Sequence, residues 1–226
     1  MRDRRYLAIT RLSSEPTRPR RRLPAAERRE LIELAATEVV AERGYHGAGM
    51  SEIARRAGVS VPVVYDHFPS KQALYRRLLE RHFADLQAIW IEHFGADAPA
   101  GERLGRAVEA WFAYVEAHPF ASRVLFRGAT GDPEVDAIHR EVETASRDHM
   151  IPRLQTEPAM QATGGSPAGR LLVWEVFRVT MQGLALWWVD HPEVPREQLV
   201  ATTMNALWIG YERVSAGETW TSAGGG

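Results

Sequence analysis

The segment 51–67 constrains the fold more than any other stretch, because it places a glycine between two short helical patterns. Ala54 is small where two helices would cross at a steep angle, and Gly58, four residues later, permits the positive φ of a tight turn. The core shared by the two helices is predicted from three apolar positions, Ile53, Val59 and Val64. The spacing therefore predicts a helix-turn-helix.

Apolar residues recur at helical intervals along most of the chain, and no alternating pattern or hairpin signal predicts a strand. Pro24 suits the first turn of a helix that ends at Gly44, and Ser70 is a candidate N-cap for a long helix that reaches about Phe94. The other predicted helices cover residues 50–57, 61–67, 102–118, 120–128, 133–156, 169–190 and 195–215. The sequence thus predicts an all-α fold.

Charge is distributed unevenly along the chain. Residues 1–80 carry 16 Arg and Lys against 10 Asp and Glu, whereas residues 81–226 carry 12 against 19. This gradient favours an N-terminal module that touches a polyanion. Residues 1–22, which include eight Arg, are expected to form a disordered basic arm, either following DNA phosphates or remaining a solvated tail. Residues 216–226 are expected to form a disordered C-terminal tail.

Composition excludes several classes of protein. The chain contains no cysteine, which rules out disulfides, cysteine-ligated zinc, iron–sulfur clusters and thiol nucleophiles. Its longest apolar run is residues 183–189, against the roughly 18 residues that a membrane helix needs. These patterns predict a cytoplasmic protein without a membrane partner, and nothing in the sequence indicates a cofactor or a resident metal.

The second helix of the motif is predicted to project outward, where its start can enter a major groove about 12 Å wide. Tyr65, His67 and Lys71 can donate hydrogen bonds to phosphates. Val61 and Val63 offer methyl contacts to thymine instead of hydrogen bonds. The predicted DNA-binding residues are Gly49, Ser60, Val61, Pro62, Val63, Tyr65, His67 and Lys71.

Five short patterns surround and include this motif: Gly44-Tyr45, Ile53-Ala54, Ala57 to Ser60, Tyr65 with Phe68, and Ser70-Lys71 with Leu74. Together, in the run ERGYHGAGMSEIARRAGVSVPVVYDHFPSKQALY, they resemble the TetR family of bacterial transcriptional regulators almost position by position. The resemblance covers about residues 25–80 and implies a helix-turn-helix DNA-binding domain over residues 23–70.

The chain departs from the family pattern at two places. The family usually has Thr or Ser before its second helix, where this chain has Ala48, Gly49 and Met50, so that Gly49 serves as a weaker cap without a hydroxyl for phosphate. The Gly-Thr pair that is common in the recognition helix is replaced by Pro62 and Val63, and proline is compatible with a first helical turn.

The resemblance implies that residues 71–215 form a larger helical domain that binds a small molecule and dimerises through its last two helices. The helix from Gly169 is apolar on nearly every face, which favours burial by its own domain on one side and a partner subunit on the other. The alternative is that these apolar stripes form only the core of one chain. The predicted dimer interface is Leu184, Trp187, Trp188, Val200, Met204, Leu207, Trp208 and Tyr211.

Aromatic residues at helical spacing, together with polar residues that would be costly to bury unpaired, indicate a ligand cavity in this domain. The predicted ligand-binding residues are Trp90, Phe94, Trp111, Tyr114, Arg123, Phe126, Arg127, His149, Trp174, Phe177, Arg178 and Met181. Such an interior favours a small apolar or aromatic effector.

The sequence therefore predicts a homodimeric regulator, a repressor that an effector releases from a palindromic operator in double-stranded DNA. One alternative is an activator or a regulator that needs no ligand. Another is a helical enzyme with a vestigial DNA-binding head, based on a carboxylate and histidine cluster at Asp132, Asp136, His139 and Glu143. Nearby Arg140 and Arg147 favour a solvated charged face for that cluster, and no catalytic residue is predicted.

Overall fold

The computed structural model describes residues 23–94, 97–126, 131–154, 166–216 and 218, with the backbone alone at 153, 154, 214 and 215. The predicted arm 1–22, Arg127 and nearly all of the predicted tail 216–226 lie outside these residues. The helices of the described part are α1 (Ala25–Gly47), α2 (Met50–Ala57), α3 (Val61–His67), α4 (Lys71–Phe94), α5 (Ala100–Ala117), α6 (Pro119–Phe126), α7 (Pro133–Leu154), α8 (Pro167–Val189) and α9 (Arg196–Ser215). The predicted all-α class is confirmed.

Local sequence signals set the ends of the first three helices. Gly44, with φ 69° and ψ 171°, interrupts α1 where the sequence predicts its end, and one further turn follows. Gly58 closes α2 in the left-handed region, with φ 68° and ψ 27°. Pro69 follows the end of α3, as expected from the restricted backbone before a proline. Helices α2 and α3 have the predicted bounds.

The helix-turn-helix has a buried apolar core. Ile53, Ala54 and Val64 are buried, and α2 packs against both α1 and α3. Val59, in the turn, is partly buried against the same core. The small side chain at Ala54 therefore lies at the predicted crossing, and the outer face of α3 remains open.

Helix α4 connects this head to the rest of the chain. Ser70 caps its start, since the Ser70 hydroxyl accepts a hydrogen bond from the backbone N–H of Ala73 at 3.0 Å. Beyond the head, α4 packs against α5 and α7, α8 packs against α5 and α6, and α9 covers α5. Phe112 and Val135 are fully buried in this larger core. None of the helices in the described part is long and apolar enough to cross a bilayer.

A buried carboxylate ties α1 to α4. Glu33 is 3% exposed and accepts hydrogen bonds from Arg29 at 3.2 Å, Arg77 at 3.0 Å and Arg81 at 2.9 Å. Burial alone would raise the pKa of Glu33, but the hydrogen bonds from Arg77 and Arg81 outweigh burial and hold that pKa below its ordinary value. The helix-turn-helix is thereby fastened to the connecting helix by charge.

A second polar cluster joins α1, α4 and α5. His82 of α4 is 6% exposed, with Nε2 at 3.2 Å from the Thr37 hydroxyl and Nδ1 at 2.8 Å from the Tyr114 hydroxyl. Thr37 donates its own proton to the carbonyl of Glu33, so His82 donates from Nε2 and accepts at Nδ1. Burial lowers the pKa of His82 to about 4, which keeps the ring neutral at pH 7.

Helix α8 differs from its prediction at both ends and on one face. It begins at Pro167, two residues early, because the Ser166 hydroxyl caps it by accepting from the Gly169 N–H at 3.1 Å. Trp188, predicted for the dimer interface, is instead 6% exposed within its own chain. Its indole N–H donates to the Val194 carbonyl at 2.8 Å, and its ring meets Phe112 edge-on. These two contacts bury Trp188 within its own chain, away from the predicted interface.

Candidate nucleic-acid interface and internal cavity

The predicted DNA-binding residues lie around the exposed side of α3. Gly49, Ser60, Pro62 and Tyr65 are exposed, while Val61, Val63, His67 and Lys71 are half-buried. Tyr65, at 49% exposed, is the largest apolar surface on this helix. The first turn of α3 thus presents small and apolar side chains, and the phenol hydroxyl at position 65 is free to reach a phosphate or a base edge.

Lys71 occupies the junction between the head and the connecting helix. Its ammonium donates to the carbonyl of His46 at 3.2 Å and lies 4.4 Å from the centre of the Tyr45 ring. Partial burial lowers the pKa of Lys71 from its ordinary value. An ammonium has three protons, so the contact with His46 leaves donors for a phosphate.

Replacing Lys71 by alanine is expected to weaken binding to all duplex sequences alike. The slope of log affinity against log salt should fall by about one unit, because one phosphate contact is lost. Gel-shift titrations from about 50 to 200 mM salt measure this slope, and Lys71→Arg, which keeps the charge, is the control. An unchanged slope in Lys71→Ala would leave this side chain only the role of joining α1 to α4.

Two arginines of the head are paired with carboxylates within it. Arg56 forms two hydrogen bonds with Glu42, both at 2.8 Å, and Arg55 donates to Glu52 at 2.9 and 2.7 Å. The hydrogen bond from Arg55 lowers the pKa of Glu52 to about 2, so this carboxylate stays charged at any physiological pH. The Arg56–Glu42 pair fastens α2 to α1, and the Arg55–Glu52 pair lies within α2. The net positive charge counted over residues 1–80 comes from residues 1–22, where eight Arg stand against two Asp and Glu.

The larger domain contains a cavity between α4, α5, α6, α7 and α8, partly open to solvent, with a volume of about 70 Å³. Seven of the predicted ligand residues line it: Trp90, Trp111, Phe126, Trp174, Phe177, Arg178 and Met181. Eight further lining residues were not predicted: Phe83, Leu86, Gln87, Glu143, Ser146, Arg147, Met150 and Gln182. The missed residues of α4 share the helix face of Trp90 at intervals of three, four and seven, which is the signal that points to them.

The other predicted ligand residues with described side chains lie outside this lining. Phe94 stacks on Trp90 with ring centroids 5.7 Å apart, and Tyr114 is bonded to His82. Arg123 pairs with Asp190 at 2.8 Å. His149 is exposed on α7. Three of these side chains therefore have intrachain partners that sequence periodicity does not reveal, and the fourth faces solvent.

A polar cluster marks one side of the cavity. Arg178 donates through Nη1 to Glu143 and to the side-chain oxygen of Gln182, each at 2.7 Å. A second cavity, of about 250 Å³, shares Phe126, Glu143 and Gln182 with the first and is lined also by Asp136, His139 and Arg140. The two spaces thus adjoin at the partners of Arg178.

The carboxylate and histidine cluster is dispersed over different contacts. Asp132 caps α7 by accepting from the Glu134 N–H at 3.0 Å, and His139 Nδ1 lies 3.5 Å from the Tyr75 hydroxyl. Glu143 is paired with Arg178. Within the described ranges, no three such side chains come together as a metal site would require.

The exposed apolar surface lies mainly on α8. Leu172, Val176, Val179 and Trp187 follow one another at helical spacing and are 66%, 49%, 56% and 45% exposed. Among the interface residues predicted on α9, Met204 and Trp208 face α5, where Trp208 covers Gly101 and Met204 lies near Gly105. The predicted residues Leu184, Val200, Leu207 and Tyr211 are half-buried. The largest open apolar stripe therefore shares Trp187 with the predicted set and otherwise lies on the outer face of α8, at residues that were not predicted.

Known proteins match the chain on both of its parts. The family model of bacterial regulatory proteins of the TetR family matches residues 32–78, and that of a tetracycline-repressor-like C-terminal domain matches residues 100–210. A curated relative from Mycolicibacterium smegmatis, the HTH-type transcriptional activator FasR, is 31% identical over 194 residues, covering 85% of this chain and 87% of that protein.

Two solved structures share the fold. A TetR-like transcriptional regulator from Rhodococcus sp. RHA1 is 24% identical with a TM-score of 0.69, over 84% of this chain and 99% of that one. The regulator FadR from Bacillus subtilis, in complex with stearoyl-CoA, is 21% identical with a TM-score of 0.64 over the same shares.

Proposed function

The chain belongs to the TetR family of transcriptional regulators, and we propose that it binds a palindromic DNA operator as a homodimer under the control of a small molecule. The observation that carries the proposal is the helix-turn-helix with a buried core and an open α3. Such a head places the start of α3 in the major groove while α2 crosses the backbone. The protein would act in the cytoplasm, where it meets the chromosome.

Dimerisation is supported by the exposed stripe on α8. Four large apolar side chains in one row are more than isolated exposed residues, and a row of this kind is typical of an interface. A two-fold axis near this helix would place two heads on one face of the DNA, about 34 Å apart, and would match a palindrome.

An effector role for the cavity is supported by its position along α4. The same helix that starts beside the head at Lys71 contributes Phe83, Leu86 and Trp90 to the cavity wall. A ligand that fills the cavity better in one tilt of α4 shifts the equilibrium between two spacings of the heads. Even a 100-fold preference supplies only about 2.7 kcal/mol, so release from DNA requires an operator complex that is finely balanced.

The apolar and aromatic lining supports a small apolar or aromatic effector, and the structural neighbour with stearoyl-CoA shows that this fold accommodates a ligand with an acyl chain. Repression of transcription, by occupation of a promoter, is the first candidate for the regulatory effect. Activation is the second, and it is favoured by the name of the relative that is 31% identical. Transcription in vitro from a template carrying the operator, with and without the protein, separates the two.

The first experiment is selection of bound fragments from random duplex DNA by the full-length protein, at about 150 mM salt, where non-specific phosphate binding is weak. We expect enrichment of an inverted repeat with half-sites about one helical turn apart. A variant with Tyr65 changed to Ala is the control, since it alters an exposed residue of α3 and leaves the core intact. Absence of any enriched sequence with the native protein would contradict operator recognition.

A further inference from the structure

Asp66 is an exposed carboxylate on α3 that has no hydrogen-bond or ion-pair partner among the described residues. By contrast, Glu38, Glu42 and Glu52 each lie within 3.5 Å of an arginine nitrogen. An unpaired anion on a helix that faces DNA is repelled by the phosphates. A favourable contact for this carboxylate therefore has to come from a base edge.

The position of Asp66 on α3 directs it away from the body of the head. Val64, two residues earlier, is fully buried, and successive residues of a helix are rotated by about 100°, so Asp66 lies about 160° from Val64 around the helix. Pro62 lies about 160° from Val64 in the other direction, and it is exposed as well. Asp66 and Pro62, one turn apart, thus form the outermost edge of α3, which is the edge that enters a major groove.

The direction of helical side chains brings the carboxylate toward the bases. Side chains of a helix lean toward its N-terminal end and cover the preceding turn, which for Asp66 is the turn that contains Pro62. The short ring of Pro62 leaves room for the carboxylate there. The start of a recognition helix is the part that reaches base edges, so Asp66 lies over the reading end of α3.

An ionised carboxylate accepts hydrogen bonds and cannot donate them, so it distinguishes the base edges of the major groove. Guanine presents two acceptors there, and thymine presents one acceptor and a methyl group. Adenine presents an amino donor, but this group lies between two acceptors, N7 of the same base and O4 of the paired thymine. The N4 amino group of cytosine has an acceptor on one side only, so it is the best partner for a carboxylate.

We infer that Asp66 is a specificity-determining residue, which accepts a hydrogen bond from the N4 amino group of one cytosine in each half-site of the operator. It provides selectivity at the expense of affinity for other sequences, where the same charge meets acceptors or phosphates. The inference rests on the proposed function, because it takes α3 to lie in the major groove.

Selection from random duplex DNA, run in parallel with the native full-length protein and with Asp66→Ala, tests the inference. Both proteins are expected to enrich the same inverted repeat, because Asp66 is exposed and its loss leaves the core of the head unchanged. One C·G pair in each half-site should be fixed with the native protein and variable with Asp66→Ala. The matched control is Asp97→Ala, which removes an exposed carboxylate beyond the far end of α4 and should select the native sequence.

Gel shifts on the selected duplex measure the size of the effect. Changing that C·G pair to T·A in one half-site replaces the amino donor by an acceptor, and it is expected to weaken binding of the native protein about ten-fold. The same change should weaken binding of Asp66→Ala less than about two-fold. The affinity of Asp66→Ala for an unrelated duplex should rise, because one anion fewer faces the phosphates. Melting temperatures report whether both variants fold.

Identical preferences of the native protein and Asp66→Ala at every position would overturn the inference, and so would an equal loss of affinity for the T·A duplex in both. In either case the enriched repeat leaves operator recognition standing. Failure of the native protein to enrich any sequence would instead contradict the proposed function, and the assignment of Asp66 with it.

Discussion

Replacing Val179 by aspartate is expected to convert the proposed dimer to monomers and to lower affinity for the proposed operator by at least about a hundred-fold. Val179 is 56% exposed in the middle of the apolar stripe on α8. Gly183, one turn later, is exposed with open space around its Cα, so a second copy of the helix can approach closely here. A carboxylate buried in that contact lacks a partner, and two-fold symmetry brings a second one near it.

The loss of DNA affinity follows from the loss of bivalency. Two linked heads typically bind about 10²–10⁴-fold more tightly than a single head. Light scattering after size-exclusion chromatography measures the mass, and gel shifts measure the affinity. Ala137→Asp adds the same charge on the exposed side of α7 and should leave both unchanged. A Val179→Asp protein that remains dimeric would move the interface away from this face of α8.

Lowering the pH from 7 to 5 is expected to reduce the free energy of unfolding by about 2 kcal/mol through His82 alone. The pKa of this buried imidazole is about 4 in the folded protein, against 6.5 for an ordinary histidine. Between these values the unfolded chain binds the proton and the folded chain does not, so stability is full above about pH 6.5 and falls as the pH drops toward 4. Urea unfolding at fixed protein concentration measures the effect.

The groups around His82 come from three helices. Glu33 faces it from α1, Arg81 and Asp85 from α4, and His118 from the residue just after α5, and their charges partly offset one another. His82→Gln keeps a polar side chain and removes the titration, so most of the slope between pH 7 and 5 should disappear. Burial also lowers the pKa of His139, which leaves a smaller slope of the same sign.

A His82→Gln protein with the slope of the native chain would show that the buried imidazole is not the group that limits stability in mild acid.

Local features of the fold could be predicted because their causes lie within a few residues. Gly58 ends α2 since a left-handed backbone is needed there, and Ser70 caps α4 through its own hydroxyl. These signals also gave the position of α3 and hence the candidate DNA-binding residues. Five of the seven predicted cavity residues followed from aromatic spacing, and Arg178 and Met181 were predicted beside them.

The rest could not be predicted because it depends on which neighbour covers a given face. Periodicity shows that α8 is apolar all round, but whether Trp188 meets Phe112 or a partner depends on how the helices are arranged. The bond between His82 and Thr37 joins residues 45 positions apart, and nothing in either local sequence indicates the other. Local sequence likewise does not indicate that the lining residues of α4 and α7 face each other across the cavity.

The continuity of α4 sets the scale on which a ligand can act. Its 24 residues form a rod about 36 Å long. On that length, a tilt of about 5° around the cavity end moves the end beside the head by about 3 Å, which is close to one base-pair step. Two such levers swinging in opposite directions change the distance between heads by about 6 Å out of the 34 Å of a helical turn. In the proposed function, such a tilt of α4 would be magnified by the length of the helix into a mismatch of nearly two base pairs.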